Sequence, residues 1–314
     1  MTPSPTRRVL AMLAMPLLAL AATATTAAAS TPPDNSVPGG SAPGADEGSD
    51  IVIHDEGAGD QRINLSAVPV AAGSVLHSVK TNEGSGEIHM SGQETLDAEV
   101  AGTTTVEQTA EVIEVAPDGG FTVVRTVDSY DFVVTEGPAE LGGFLKDDEE
   151  LEPLVGIALV QVYDADQVLL SVAPADPSVS LTADQQAAVE EILADGADQV
   201  QLPDADLGVG ASWTAFLQGS KGATAEFELV SIDAAEATVS LVVDGDAASL
   251  IDPESPLQDV AGTVTGSGSM LVDRTNSLAS DTALDLTIDM TGTTQGITFA
   301  MTLDSTMTNE VTSG

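Results

Sequence analysis

The sequence predicts a mainly β protein of long antiparallel strands, and three observations predict it. First, every second residue from Leu284 to Met290 is apolar and the intervening residues are polar, as in a strand with one dry and one wet face. Second, the same alternation recurs from Ile297 to Leu303. Third, the short turn from Gly292 to Gly296 joins these two segments as a hairpin.

Alternating runs continue along most of the chain and are separated by short connections. They predict a meander whose sheet curves strongly or rolls into an open barrel, because consecutive antiparallel strands pair with each other. The runs lie at 73–80, 86–91, 97–115, 121–134, 157–163, 167–173, 211–218, 223–232, 237–243 and 263–272.

One or two short helices interrupt the strands. The first is predicted at 182–195, where Thr182 and Gln185 form a capping-box pattern and Gly196 stands at the position of a C-terminal cap. The second, less regular helical stretch covers 139–155. The apolar stripe of the first helix consists of Val189, Ile192 and Leu193.

The chain also repeats itself in part. The hairpin at 111–128 resembles the hairpin at 228–244 in its order of residue types. If the repeat reflects duplication, two similar meanders at about 73–173 and 210–307 flank the helix, and one could serve as a second sheet that covers the other. Alternating strands also resemble each other by chance, so both explanations stay open.

Residues 1–29 have the three parts of a cleavable export signal. A basic pair, Arg7-Arg8, precedes an apolar core at 9–22, and small residues follow. A membrane anchor is the alternative, but Pro16 and the small-residue tail favour cleavage. The sequence therefore predicts a secreted protein with no stable membrane insertion after the signal is removed.

A flexible linker is predicted at 30–50, where four Pro and four Gly occur among small polar and acidic residues. Such a stretch cannot bury enough apolar surface to offset the entropy of ordering it. Residues 51–314 then suit one large extracellular β domain or two joined ones. The mature protein is expected to be soluble outside the cell or associated with the cell wall.

The charge of the chain is strongly acidic. Its 314 residues include 50 Asp and Glu against 8 Lys and Arg, and six of those cations remain once Arg7 and Arg8 leave with the signal. Nucleic acid and anionic membranes would repel such a chain. A saline habitat and the common acidity of exported proteins explain the charge equally well. The absence of cysteine excludes disulfides, thiolate chemistry and a cysteine-linked lipid.

Several segments in the second half of the chain form a recognisable pattern. They are Leu202-Pro203 and the LGVGASW segment at 207–213, the strand pairs after them, and a Gly-rich stretch at 266–273. Together these segments resemble a domain family of unknown function in secreted and lipid-anchored proteins of high-GC Gram-positive bacteria. The resemblance covers most of residues 70–310. It implies a location in the cell envelope and a β fold, and it carries no catalytic residue. The chain departs from the lipid-anchored members because it lacks their anchoring cysteine.

The common catalytic signatures are absent, and no catalytic residue, cofactor or metal site is predicted. There is no nucleophile elbow, no H-E-x-x-H and no phosphate-binding Gly-Lys loop. Of the three histidines, His89 lies on the polar side of a strand, where a solvated position is expected. His77 shares a face with Val75 and Val79, so a hydrogen-bonded core or edge histidine is expected.

Carboxylates are too frequent to identify a site. They form glycosidase-like pairs by chance, and Trp213, the only tryptophan, is expected to anchor packing and not to bind sugar. Four acidic clusters offer oxygen ligands to calcium without the spacing of a calcium loop, so solvated turns are expected. These four acidic clusters are Asp147–Glu150, Asp164 with Asp166, Asp204 with Asp206, and Asp244 with Asp246. The protein is not expected to be an enzyme.

Two function classes fit these observations. The first is a non-enzymatic envelope protein that binds an apolar small molecule or lipid between its sheet and its helices. The second is a structural or interaction module of the cell surface, whose β core is fully packed and whose protein partner meets the exposed face or the sheet edges. Inward aliphatic residues serve both classes equally well, so the sequence alone does not separate them.

Overall fold

The computed structural model of the chain describes residues 51–92, 95–138, 149–165, 167–195, 202–216, 224–250, 257–294 and 297–314. The predicted signal at 1–29 and linker at 30–50 lie outside these residues.

Fourteen strands, one α-helix and two 3-10 helices lie in the described parts of the chain. The helix α1 is Ala183–Asp195, and the 3-10 helices are Glu149–Leu154 and Ala247–Leu250. The strands are β1 Val52–Asp55, β2 Ala58–Ile63, β3 Val75–Ser91, β4 Thr95–Val115, β5 Phe121–Glu136, β6 Ala158–Tyr163, β7 Leu169–Pro174, β8 Leu207–Val209, β9 Ser212–Phe216, β10 Thr224–Ile232, β11 Glu236–Asp246, β12 Gln258–Asp273, β13 Ser280–Thr294 and β14 Ile297–Ser313.

Twelve of these strands form one antiparallel sheet in the order β1-β9-β10-β11-β12-β13-β14-β3-β4-β5-β6-β7, and β2 pairs with β8 apart from it. The prediction of a mainly β meander is confirmed. The sheet is strongly curved but not closed, because β1 and β7 end it without pairing with each other. No helix in the described ranges is both long and apolar enough to cross a membrane.

The predicted meanders at 73–173 and 210–307 do not stack as two sheets. They join edge to edge, since β14 pairs with β3 from Thr298–Ser91 to Ser313–Leu76. The prediction that one meander forms a second sheet over the other is therefore wrong. Whether duplication produced them stays a prediction, although both hairpins of the repeat occur as paired strands, β4 with β5 and β10 with β11.

The two faces of the sheet differ as the alternation predicts. On β13, Leu284, Leu286, Ile288 and Met290 are all buried, and we call their side of the sheet the inner face. On the opposite, outer face, threonines of one strand donate to aspartates of the next. These pairs are Thr287 with Asp304 at 2.6 Å, Thr302 with Asp289 at 2.6 Å, and Thr306 with Asp285 at 2.7 Å.

A large apolar core covers the inner face of β9 to β14 and the nearby ends of β3 and β4. Trp213 of β9 lies at its centre, fully buried, and stacks on Phe227 with ring centroids 5.4 Å apart. Leu65, Leu202 and Leu207 enter this core from outside the large sheet, and each is at most 1% exposed. The protein's own side chains therefore fill this part of the inner face. The prediction that Trp213 anchors packing is confirmed.

Two smaller apolar cores lie under β4 to β7, covered by α1 and the 3-10 helix Glu149–Leu154. The capping box of α1 is confirmed: the Thr182 amide donates to Gln185 Oε1 at 2.9 Å, and the Gln185 amide donates to Thr182 Oγ1 at 3.3 Å. Gly196 and residues 139–148 of the second predicted helix lie outside the described residues. The described remainder of that stretch contains only the 3-10 turn, whose sequence includes Pro153.

Tyr163 provides a test of the smaller cores. It stacks on Phe121 with ring centroids 4.7 Å apart and donates a hydrogen bond to Gln161 Oε1 at 3.0 Å. Burial raises the pKa of its phenol above the ordinary value, and the positive charge of Arg125 opposes this increase more weakly. The folded protein therefore favours the neutral phenol, whose contribution to stability is complete below the unfolded pKa and is lost as the pH rises towards the folded one.

We expect the free energy of unfolding to fall because of this group by at most about 1.4 kcal/mol per pH unit, between the unfolded pKa near 10 and the raised pKa of the folded state. The Tyr163→Phe variant should lack that component, whereas Tyr130→Phe should retain it. Urea denaturation at about pH 8, 9, 10 and 11 measures the slope for each protein. An equal alkaline decline in wild type and Tyr163→Phe would show that Tyr163 is not its source.

Candidate functional site

A groove of about 900 Å³ crosses the outer face over β12, β13, β14, β3 and β4. Its floor follows a row of directly paired residues, Ala261–Thr291–Ala300–His89–Asp97, in which the two alanines leave room above the sheet. The residues around the groove are Glu87, Ile88, His89, Asp97, Ala98, Glu99, Ala261, Gly262, Asp289, Met290, Thr291, Ala300, Met301 and Thr302.

The groove is acidic, and among the residues that the structure describes neither lysine nor arginine lines it. Glu87 of β3 lies directly opposite Glu99 of β4 in the register, an arrangement of like charges that destabilises a sheet. Asp289 is held in place by the hydroxyl of Thr302. A cationic group in the groove would reduce the repulsion among these carboxylates.

His89 is half-exposed on the outer face, where its Nδ1 hydrogen-bonds Asp97. Its neighbours Ile88 and Met90 are buried on the inner face, so the predicted solvated position of His89 is confirmed. His77 is hydrogen-bonded as predicted, but its predicted core or edge position is wrong, because this residue is exposed on β3, which is an internal strand of the sheet. Its strand turns Leu76 inward instead.

His77 belongs to a chain of hydrogen bonds that has the residue types of a catalytic triad but a different order. Its Nδ1 lies 3.0 Å from Thr109 Oγ1, and this hydroxyl donates to Asp128 Oδ2 at 2.6 Å. The single hydroxyl proton of Thr109 therefore points to the carboxylate and not to the imidazole. A nucleophile needs a base that accepts its proton and is itself oriented by a third group, so this arrangement does not activate Thr109.

The described acidic clusters support turns. Asp164 Oδ1 accepts from the Val168 amide at 2.9 Å, Asp204 Oδ1 accepts from Asn64 Nδ2 at 2.7 Å, and Asp246 Oδ1 accepts from the Ala248 amide at 2.9 Å. Within the described ranges, no three His, Asp or Glu side chains are grouped closely enough to hold a metal ion. Asp147, Asp148 and Asp166 lie outside these ranges.

Sequence analysis missed a buried polar belt on the inner face, formed by Lys80, Asn82, Thr104 and Asn309. It lies where the large core meets the smaller ones, since Thr104 stands on β4 between Val100 and Val106. Asn82 accepts a hydrogen bond from Ser305 Oγ at 2.7 Å, and Lys80 also has an interaction within the chain. The sequence contained one sign of these buried polar residues. The two-residue alternation of β3 places Lys80 on the same face as the apolar Ile88, which is buried.

The outer-face carboxylates predict a salt-dependent stability. With 50 Asp and Glu against 8 Lys and Arg, the chain repels itself, and salt screens that repulsion. We expect the melting temperature to rise between about 0.05 and 0.3 M sodium chloride, where the screening length changes most. Salting-out of apolar surface dominates only at higher concentrations. A flat or falling melting temperature over this range would contradict the prediction.

Comparisons with known proteins give little beyond the β-rich fold. No protein-family model matches the chain, and no curated protein matches it. An outer membrane channel from Pseudomonas putida F1 is similar over 81% of this chain and 99% of that one, with 6% identity and a TM-score of 0.24. The Yersinia pestis attachment invasion protein Ail, solved with a heparin analogue, is similar over 76% and 99% of the two chains, with 5% identity and a TM-score of 0.13. These TM-scores are too low to support an assignment of function.

Proposed function

We propose that the protein is a secreted, non-enzymatic interaction module of the cell envelope that binds a basic partner through the groove of its outer face. The predicted export signal and linker support the location, as does the resemblance to secreted and lipid-anchored proteins. Two features of the described residues support the mode of binding: a packed inner face and an acidic groove on the opposite side.

The packed inner face is the observation on which the proposal rests. A carrier of the lipid-binding kind needs several hundred Å³ of apolar space between its sheet and its cover. Here Leu65, Leu202, Leu207 and Trp213 fill the inner face of β9 to β14 and are at most 1% exposed. The groove of about 900 Å³ lies on the polar side instead. This arrangement favours the interaction module over the apolar-ligand carrier.

The chemistry of the groove supports a basic partner. Glu87, Glu99, Asp97 and Asp289 contribute carboxylates, and no lysine or arginine within the described ranges lines the groove beside them. A lysine-rich or arginine-rich protein segment would gain charge pairs there and reduce the repulsion between Glu87 and Glu99. Single exposed pairs contribute only about 0.2–1 kcal/mol, so the binding energy must come from several carboxylates that act together.

The proposal is tested by neutralising the groove. The triple variant Glu87→Gln, Glu99→Gln, Asp289→Asn removes three charges and keeps the size of each side chain. Its matched control, Glu226→Gln, Glu228→Gln, Asp244→Asn, removes three exposed charges from the outer face of β10 and β11. The probe is an oligolysine peptide, whose dissociation constant is measured by calorimetry at low and at physiological salt.

We expect the groove variant to bind the probe about tenfold more weakly, which corresponds to about 1.4 kcal/mol. The control should change the dissociation constant less than threefold or so, because only the general field of the protein falls. Equal losses in the two variants would show that the peptide responds to total charge and that the groove is not its site.

The apolar-ligand carrier is tested separately. One observation favours it: the cover of the smaller cores is thin, and Val155 and Leu193 beside it are 42% and 36% exposed. Native mass spectrometry and solvent extraction of protein purified from its own host would reveal a bound lipid. We expect the mass of the polypeptide alone, and a stoichiometric apolar ligand would instead support the carrier.

A further inference from the structure

We draw no further inference here: the strongest candidate beyond the groove, the buried polar belt of Lys80, Asn82, Thr104 and Asn309 on the inner face of the sheet, makes its contacts within the chain, and nothing in the structure shows a ligand or a partner that would reach it.

Discussion

Replacing Trp213 by alanine is expected to lower the free energy of unfolding by about 3–5 kcal/mol, the cost of emptying a large aromatic site in a packed core. The side chain is completely buried, and its ring lies nearly parallel to that of Phe227, at 4°. Its loss leaves a cavity between β9 and the leucines that enter from β8 and the segment before β3. Urea denaturation followed by circular dichroism measures the change, because the variant contains no tryptophan for fluorescence.

Two further variants make this prediction specific. The indole Nε1 of Trp213 is buried and makes no hydrogen bond among the described residues, so Trp213→Phe removes volume without removing a polar contact. It should cost less than the alanine change, and it provides a measurement if Trp213→Ala does not fold. Val242→Ala removes an exposed side chain of β11 and should change stability by no more than about 0.5 kcal/mol. A similar small effect from Trp213→Ala would contradict a packed inner face.

Strand alternation predicted most of the sheet but not its strand ends. The predicted strands at 73–80 and 86–91 are one continuous strand, β3. The intervening Glu83-Gly84-Ser85 has no large apolar residue, and glycine usually marks a break. β14 and β4 pair with β3 along this stretch. Tertiary pairing therefore overrides a weak local pattern, which the sequence of β3 alone does not show.

The position of His77 shows the other limit of alternation. Val75 and Val79 made its side of the strand look apolar, whereas the inward side of β3 carries Leu76 and Lys80. A lysine is normally read as solvent-exposed because burying its charge is costly. The sequence assigned the face correctly at Ile88 and Met90, where polar and apolar residues alternate without exception.

The candidate groove could not be predicted, because two groups of strands that are far apart in sequence, β3 with β4 and β12 to β14, contribute to it. The pairing of Ala300 with His89 joins residues 211 positions apart. Their distance depends on the register between β14 and β3, which no local pattern determines. The sequence did show the chemistry of the groove: apart from His89, the outward residues that line it are small, hydroxylic or acidic.

The second large effect is expected from Gly86, whose lack of a side chain allows the close approach of β14. A Cβ at this position would lie 2.3 Å from the carbonyl oxygen of Thr302 and 2.5 Å from Cδ2 of Leu303. Leucine can change rotamer, but the carbonyl belongs to the paired strand and cannot move without disturbing the ladder. We therefore expect Gly86→Ala to destabilise the protein by about 1–3 kcal/mol.

The matched control is Ser85→Ala, one residue earlier on the exposed side of the same strand. It introduces no new atom into the sheet and should be close to neutral. Gly86→Val should cost more than Gly86→Ala, because its extra methyl groups extend towards Leu303, whose side chain belongs to the large core. Urea denaturation at constant pH and salt gives all three values. If Gly86→Ala were as stable as wild type, β14 would have to lie farther from β3 than the structure places it.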